Sequence, residues 1–319
     1  MPFAPLLLTI ALLVAPCAAV AATVEEATAL LVAKDPRAAA AIAGLVKAQP
    51  DSADAHVLMA RLQLQQGKAA DAVDSAEEAV DLDDASAQAH YWLGNAYGTR
   101  IGQVGMLPQA MMAPKLRDAF LRALVLDPNL HDARSSLVQY YLQAPAIAGG
   151  SVDKAREQVQ ELLKRDPPRG YYAQGQLATF EKKPAEAAKA YAAASAAKPD
   201  NANYRMAAGV ALQETKQWDA AFALFEGWVK REPKAAMAWY QVGRTSALSG
   251  QRLDVGAAAL KTFMGLPSAP NLPTVANAQY RLGQVQAHAG DIAAARASLQ
   301  ASVKADPDNA DAKAALAAL

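Results

Sequence analysis

The chain of 319 residues is 53% hydrophobic and 19% charged, which is typical of a folded protein and excludes a largely disordered one. Lys and Arg together number 31, as do Asp and Glu, so the formal net charge is zero. Because nucleic-acid-binding surfaces carry a basic excess, this balance predicts no nucleic-acid partner.

The first 22 residues are predicted to be a signal peptide. The apolar run from Leu6 to Ala15 is too short to span a bilayer as a mature helix, but it has the length of a signal-peptide core. Small residues follow it and offer cleavage sites after Ala21 and after Ala22. We therefore expect an exported, periplasmic protein of a Gram-negative bacterium, with no stable membrane span once the leader is removed.

The only cysteine, Cys17, lies inside this leader. One interpretation is a lipid-attachment site, but Pro16 fits poorly before such a cysteine, which favours an incidental leader residue. After cleavage the mature chain would contain no cysteine, and hence neither a disulfide nor a thiolate. Its stability would then depend on packing.

Short phrases that end in proline recur along the rest of the chain, and they indicate internal repeats. Pro199, Pro233 and Pro267 are spaced by 34 residues, and Asp84 stands 34 residues after Pro50. Further prolines of the same kind are Pro128, Pro167 and Pro307. A proline at these repeated places is expected to end a helix, because it has no backbone N–H and its ring clashes with the preceding turn.

The segments between these marks share further positions, which we number from 1 at Ala276 to 34 at Asn309. Small residues at positions 8 and 20 let two helices approach closely, and larger apolar residues at 7 and 24 fill the space between them. Glycine at position 15 takes the positive φ that ends the first helix. In this segment the marked residues are Leu282 (7), Gly283 (8), Gly290 (15), Ala295 (20), Leu299 (24) and Pro307 (32).

This pattern resembles the tetratricopeptide repeat family over nearly all of the chain after the leader. The resemblance implies an all-α fold, a right-handed superhelical solenoid of antiparallel helix pairs. In chain order we expect an N-terminal capping partial repeat at 23–52, the solenoid at 53–309 with insertions near 99–114 and 144–151 and a linker at 268–275, and a C-terminal capping helix at 310–319.

The first insertion is rich in methionine, with Met106, Met111 and Met112, and Pro108 and Pro114 are expected to break any long helix there. The favoured interpretation is a loop that folds back over the groove between two helices. A partner-docking lobe is the alternative, because methionine-rich surfaces adapt to their ligands. Ligation of Cu(I) by sulfur is disfavoured, because no histidine or cysteine accompanies the methionines.

The second insertion contains Pro145, two adjacent glycines and Ser151, a combination that raises the question of a nucleophile. The stretch lacks the final glycine of a nucleophile elbow, however, and also the ending of a phosphate-binding loop. We therefore predict that Ser151 caps the next helix, with Asp153 favourable to the helix dipole in the first turn. This layout also resembles a group of exported bacterial tetratricopeptide repeat proteins.

No residue pattern indicates catalysis. None of the four histidines lies in an HExxH motif. His56 and His90 share position 4 of successive repeats, where structural histidines are favoured over a stacked metal pair. A solvated outer helix face is favoured over a Ca²⁺ site for four acidic residues, Asp71, Asp74, Glu78 and Asp81. The sequence thus predicts no enzyme, no metal and no cofactor.

The resemblance places positions 2, 5, 9, 12 and 13 of the first helices on the concave side of the solenoid. Position 5 carries four of the ten tyrosines, and position 9 carries amide and guanidinium side chains one turn away. Such a surface suits an extended peptide, because tyrosine offers apolar area at a low entropic cost and amides bond backbone donors and acceptors. The predicted partner-binding residues are Tyr91, Asn95, Gln139, Tyr172, Gln176, Tyr240, Arg244, Tyr280 and Gln284. The alternative is that the tyrosines pack against neighbouring helices.

Together these observations predict a non-catalytic scaffold or adaptor in the cell envelope, which binds a partner protein or peptide in its concave groove. A second hypothesis is an envelope accessory protein that binds a non-protein ligand such as a glycan or a lipid, because tyrosine rings also stack on sugars. An enzyme is the least supported class, since no acid, base, nucleophile or set of metal ligands converges.

Overall fold

A computed structural model describes residues 22–319 of the chain. Except for Ala22, the predicted signal peptide with Cys17 lies outside the described residues. Within the described part the regular structure is entirely helical, with seventeen α-helices, one turn of 3-10 helix at Ala146–Ala148 and no strand. This confirms the all-α prediction.

The helices are α1 (Val24–Val32), α2 (Ala38–Ala48), α3 (Ala53–Gln65), α4 (Ala69–Leu82), α5 (Ala87–Ile101), α6 (Met106–Leu126), α7 (His131–Gln143), α8 (Val152–Arg165), α9 (Pro167–Phe180), α10 (Pro184–Ala197), α11 (Ala202–Glu214), α12 (Trp218–Arg231), α13 (Ala236–Ser249), α14 (Leu253–Gly265), α15 (Val275–His288), α16 (Ile292–Ala305) and α17 (Ala310–Ala317). Odd-numbered helices up to α15 are the first helices of their pairs. Even-numbered helices are the second ones.

The described residues form two units. Unit 1 runs to Ala133 and includes Ile147–Gly149, and unit 2 comprises Arg134–Ala146 and Gly150–Leu319. In unit 1 the pairs α1–α2, α3–α4 and α5–α6 each pack together, and α2 and α4 also contact the next first helix. Unit 2 repeats this arrangement from α8 to α16, with α17 packed on α16. Successive helix pairs therefore share their cores, as a repeat fold requires.

In five pairs, α5–α6 and the four from α9–α10 to α15–α16, the close approach depends on glycine at position 8 of the first helix. A Cβ on Gly209 of α11 would lie 2.1 Å from the ring of Phe225 on α12. Gly243 and Gly283 would meet Leu260 and Leu299 of their own second helices at 2.3 and 2.7 Å. The contact confirms that a small residue at position 8 faces a large one near position 24, and any side chain there would separate the helices.

The turn after the first helix takes left-handed backbone at position 15, but glycine does not always occupy it. Gly67 and Gly290 have φ of 75° and 78°, as the sequence predicts. Lys182 and Lys216 adopt φ of 59° and 57° in the corresponding turns, although a side chain there clashes with the following carbonyl. The turn geometry is thus imposed by the packing of the helix pair, even where the residue disfavours it.

Replacing Lys216 by glycine is expected to raise the free energy of unfolding by about 0.5–1 kcal/mol, because the relief of left-handed strain exceeds the larger chain entropy of glycine. Urea unfolding followed by circular dichroism measures the change. Lys216→Ala is the matched control, because it removes the same charge and keeps the Cβ. Equal effects of the two substitutions would contradict the explanation.

The first insertion differs from the prediction. Helix α6 is continuous over 21 residues and contains Pro114 in its interior. Pro108 is tolerated because it lies in the first turn, where backbone N–H groups have no partner within the helix. The side chains of Met106, Leu107 and Met111 are 85%, 75% and 68% exposed. The prediction of a helix-breaking loop that covers a groove is therefore wrong.

The second insertion follows the prediction at Ser151. Its hydroxyl accepts a hydrogen bond from the backbone N–H of Lys154 at 3.3 Å, in the first turn of α8. Its own N–H donates to the carbonyl of Tyr141 at 2.9 Å, which joins the start of α8 to the end of α7. Ser151 is confirmed as a helix cap, with a stabilisation of about 1 kcal/mol expected for such a residue.

Candidate partner-binding surface

The tyrosines at position 5 do not share one environment. Tyr240 is only 7% exposed, and its ring centroid lies 5.3 Å from that of Phe263 within the core formed by α13, α14 and α15. Tyr240 therefore packs against neighbouring helices, which was the alternative for these tyrosines. In unit 1 Tyr91 is half-buried, with its ring centroid 5.2 Å from Trp92 and 5.9 Å from Phe120.

Tyr172 and Tyr280 keep part of their surface exposed. The ring of Tyr172 stacks on Tyr204 of the next first helix, with centroids 4.9 Å apart, and lies 5.5 Å from Tyr191. The hydroxyl of Tyr280 accepts a hydrogen bond from Nε2 of Gln284 at 2.9 Å. Because a hydroxyl that accepts one bond retains its own proton, Tyr280 can still donate to a ligand.

Position 9 is more accessible than position 5. Gln139 on α7 is exposed, and Gln176, Arg244 and Gln284 are half-buried. Asn95 of unit 1 is also half-buried, but its amide donates to the backbone carbonyl of Tyr91 in its own helix at 2.8 Å. Among the predicted residues the structure brings together Tyr240, Arg244, Tyr280 and Gln284, on the contacting helices α13 and α15. The partner-binding role of all nine residues stays a prediction.

A buried polar network that the sequence did not predict lies beneath Arg244. Gln213 of α11 is 2% exposed and Thr245 of α13 is fully buried. Nε2 of Gln213 donates to the hydroxyl of Thr245 at 2.8 Å, and Oε1 of Gln213 accepts from Nη1 of Arg244. The hydroxyl of Thr245 donates to the carbonyl of Gln241 at 2.7 Å. Gln213 holds position 12, which the resemblance places on the concave side, so its polar side chain gave no sign in the sequence that it would be buried.

Arg281 was also missed, because no role was assigned to position 6. Its guanidinium lies 4.9 Å from the ring centroid of Tyr280, and its Nη1 donates to Oε1 of Gln284 at 2.8 Å. Burial lowers the pKa of the Arg244 guanidinium below its usual value, and the positive charge of Arg281 lowers it further. The two charges therefore act on each other through space.

Position 4 has a structural role that explains the aligned histidines. Nε2 of His56 donates to the carbonyl of Pro50 at 2.8 Å, and Nε2 of His90 donates to that of Asp84 at 3.0 Å. Trp239 makes the same bond from its indole N–H to the carbonyl of Pro233 at 2.8 Å. In each case the side chain bonds the turn that precedes its own helix, which confirms the structural interpretation of His56 and His90.

The acidic side chains of α4 form a solvent-facing helix face. Four acidic side chains of α4 are all exposed, as expected for a solvated face: Asp71, Asp74, Glu78 and Asp81. Within residues 22–319 no group of three or more His, Cys, Asp or Glu side chains is placed to hold a metal ion. None of the helices in that part of the chain has the length and apolarity needed to cross a bilayer.

Comparison with solved structures finds similar folds at low sequence identity. A tetratricopeptide repeat protein from Parabacteroides merdae superimposes with a TM-score of 0.51 at 13% identity, over 83% of this chain and 97% of the other. PilF of Pseudomonas aeruginosa gives 0.53 at 14% identity, over 85% and 100%. A chain of the APC/C hetero-tetramer Cut9–Hcn1 gives 0.54 at 15% identity, over 92% of this chain and 48% of that one. These likenesses concern the fold alone.

Comparison with curated proteins by sequence found no match. The sequence profile described as tetratricopeptide repeat, in contrast, matches at four places, residues 24–87, 57–97, 172–236 and 245–310. These matches extend over both units and together cover more than half of the chain. The chain belongs to the tetratricopeptide repeat family.

Proposed function

We propose that this protein is a binding scaffold that holds a partner protein or peptide on its first helices and catalyses no reaction on it. Proteins with these repeats commonly bind protein partners. The observation that carries the proposal is the half-buried pairing of an aromatic and an amide side chain at positions 5 and 9 of the first helices α9 and α15, namely Tyr172 with Gln176 and Tyr280 with Gln284. Because such groups combine apolar area with hydrogen-bonding capacity, they suit a peptide backbone.

We also propose that the scaffold works in the cell envelope, after export. The support is the apolar leader with its small-residue cleavage sites after Ala21 and Ala22. Helix α1 begins at Val24, directly after this leader, and Thr23 and Glu26 cap it reciprocally. N-terminal sequencing of the exported protein is expected to begin at Ala22 or Thr23. If the protein remains in the cytoplasm with its leader intact, the export proposal is contradicted.

The binding proposal is tested by site-specific photo-crosslinking in the intact envelope. A photoreactive side chain replaces exposed Gln139 on α7 or half-buried Gln176 on α9, and the adducts are identified by mass. We expect one protein adduct common to both sites. The matched control replaces exposed Lys189 on the second helix α10, where no such adduct should form. Adducts that are equal at all three sites, or that contain only glycan or lipid, would overturn the proposal.

A further inference from the structure

The outward face of helix α6 carries a row of exposed apolar side chains, which we call the α6 stripe. It consists of six residues whose spacing alternates between four and three, namely Leu107, Met111, Pro114, Asp118, Leu121 and Val125. With 3.6 residues per turn, all six fall within about 40° of one line along the helix. The four large apolar members are 75%, 68%, 37% and 71% exposed in chain order, and the buried residues of α6, such as Phe120, lie on its opposite face.

This face differs from that of the other second helices. Within residues 22–319, α14 and α16 each expose one large apolar side chain, Val255 and Ile292, and the remaining second helices expose none. Single exposed apolar side chains are ordinary on a protein surface, whereas a contiguous row of them marks a site of interaction. The α6 stripe therefore calls for an occupant.

A charged residue in the middle of the stripe restricts what that occupant can be. The side chain of Asp118 is 60% exposed, and its Oδ1 accepts a hydrogen bond from Nε of Arg117 at 2.8 Å. An uncharged apolar cover, such as the interior of a lipid layer, would take this ion pair out of water at a cost. The occupant must therefore offer apolar groups at both ends of the stripe and a cation near its middle.

A second copy of the stripe meets this requirement, because the stripe reads the same in both directions. Two α6 helices that lie antiparallel, with residue 116 of each at the same level, bring apolar side chains opposite apolar ones. The residues at equal level are then Leu107 with Val125, Met111 with Leu121, and Pro114 with Asp118 of the second copy.

The same alignment supplies the cation. Lys115 is exposed, and its ammonium lies 5.5 Å from the ring centroid of Tyr97, which supports it beside the stripe. Lys115 and Asp118 lie on the same side of the stripe, about 80° and 20° from its midline. Asp118 of one copy therefore comes within about one residue, or 1.5 Å along the helix, of the level of Lys115 of the other. Symmetry forms this ion pair twice.

We propose that the protein forms a homodimer in which the α6 stripes of two copies pack antiparallel. Spacing that alternates between three and four residues is that of helices packed at about 20°. The contact is about 27 Å long and involves one helix of each copy, which is small for a stable interface, so micromolar affinity is expected. Because the stripe lies on a second helix and the proposed partner-binding residues lie on first helices, the dimer would present two partner-binding surfaces.

Sedimentation equilibrium of residues 22–319 tests whether the dimer forms. Between about 1 and 100 µM the protein is expected to pass from monomer to dimer. Met111→Lys is expected to weaken the dimer about tenfold or more, because it places a cation within the apolar contact. Val255→Lys on α14 is the matched control, since it adds the same charge at an apolar residue that is 45% exposed on another second helix. The control should dimerise like the wild type, and circular dichroism should show that both variants are folded.

Introduced cysteines test the antiparallel register, because residues 22–319 contain no cysteine of their own. A mixture of Met111→Cys and Leu121→Cys proteins should form a disulfide-linked dimer on mild oxidation. Neither variant should do so alone, because its two thiols would lie about 15 Å apart along the helices, beyond the reach of a disulfide.

The proposal is overturned if the protein is monomeric at every concentration, if Met111→Lys dimerises like the wild type, or if either cysteine variant alone crosslinks as well as the mixture. A monomer that floats with phosphatidylglycerol vesicles would assign the stripe to a lipid surface instead. The scaffold proposal does not depend on these outcomes, since it is tested by crosslinking at Gln139 and Gln176.

Discussion

Replacing Phe225 by alanine is expected to lower the free energy of unfolding by about 3–5 kcal/mol. The ring is fully buried and belongs to a core cluster with Trp228 of its own helix and Val242 of the next first helix. Its removal leaves a cavity where two successive pairs meet, and helices that also make contacts elsewhere cannot fully collapse into it. Urea unfolding followed by circular dichroism measures the loss.

The same ring explains why position 8 of α11 is glycine. Gly209→Ala would place a Cβ within 2.1–2.7 Å of three ring atoms of Phe225. We therefore expect the free energy of unfolding to fall by about 1–3 kcal/mol, despite the better helix propensity of alanine. Gly227→Ala in α12 is the matched control, because its Cβ would meet only the end of the Arg231 side chain at 3.8 Å. The free energy of unfolding of Gly227→Ala should rise by about 0.5–1 kcal/mol.

The effects of Gly209→Ala and Phe225→Ala on the free energy of unfolding should not be additive. Without the ring, the Cβ at residue 209 has room, so Gly209→Ala added to Phe225→Ala is expected to cost little more than Phe225→Ala alone. Additive losses in this double-mutant cycle would show that the clash is not the reason for the glycine.

Removing the charge of Glu232 is expected to destabilise unit 2 through Arg205. The Arg205 side chain is 3% exposed, and its Nη2 lies 2.7 Å from Oε1 of Glu232. The guanidinium also lies 4.4 Å from the ring centroid of Trp228. Glu232→Gln would leave a buried cation without its counterion at a cost of about 1–3 kcal/mol, below that of a fully buried pair because Glu232 is half exposed.

Arg205→Met separates the contribution of the Arg205 charge to stability from the contribution of its packing on Trp228. Methionine keeps much of the volume over Trp228 and needs no counterion, so this variant is expected to be near neutral or more stable. In the Arg205→Met background, Glu232→Gln should then have almost no effect. A full loss in that background would mean that Glu232 stabilises the fold by another route.

The cost of Glu232→Gln should also depend on pH. The indole N–H of Trp228 and the guanidinium of Arg205 lower the pKa of Glu232 below its ordinary value of 4.5. A carboxylate with a lowered folded pKa stabilises the fold above its unfolded pKa, and this contribution is lost as the pH falls through the folded value. The difference in unfolding free energy between wild type and Glu232→Gln should therefore be largest near pH 7 and shrink below about pH 4.5. A difference that is constant with pH would contradict this assignment.

Much of the helix arrangement could be predicted from the sequence because its causes are local. Glycine at position 8 and a large residue near position 24 meet within one repeat, as Gly209 and Phe225 do. Ser151 caps α8 through a contact only three residues away. Pro108 was expected to break a helix, but it lies in the first turn of α6, and the start of that helix was not evident from the spacing. Nothing in the structure explains why Pro114 is accepted in the helix interior.

The candidate site could be predicted only in part, because exposure depends on side chains from other repeats. Tyr240 and Tyr280 hold the same position, yet Phe263 covers the first while the second keeps part of its surface exposed. Arg281 was not identified, since no role was assigned to position 6, although its guanidinium lies over the ring of Tyr280.

The sequence by itself determined the repeating helix pairs, since the spacing and the size of residues act within a single repeat. The tertiary structure decided which of the equivalent rings are buried and which apolar side chains of α6 stay exposed. Both outcomes depend on which side chains the neighbouring pairs supply, and packing between pairs brings together residues that no local pattern relates.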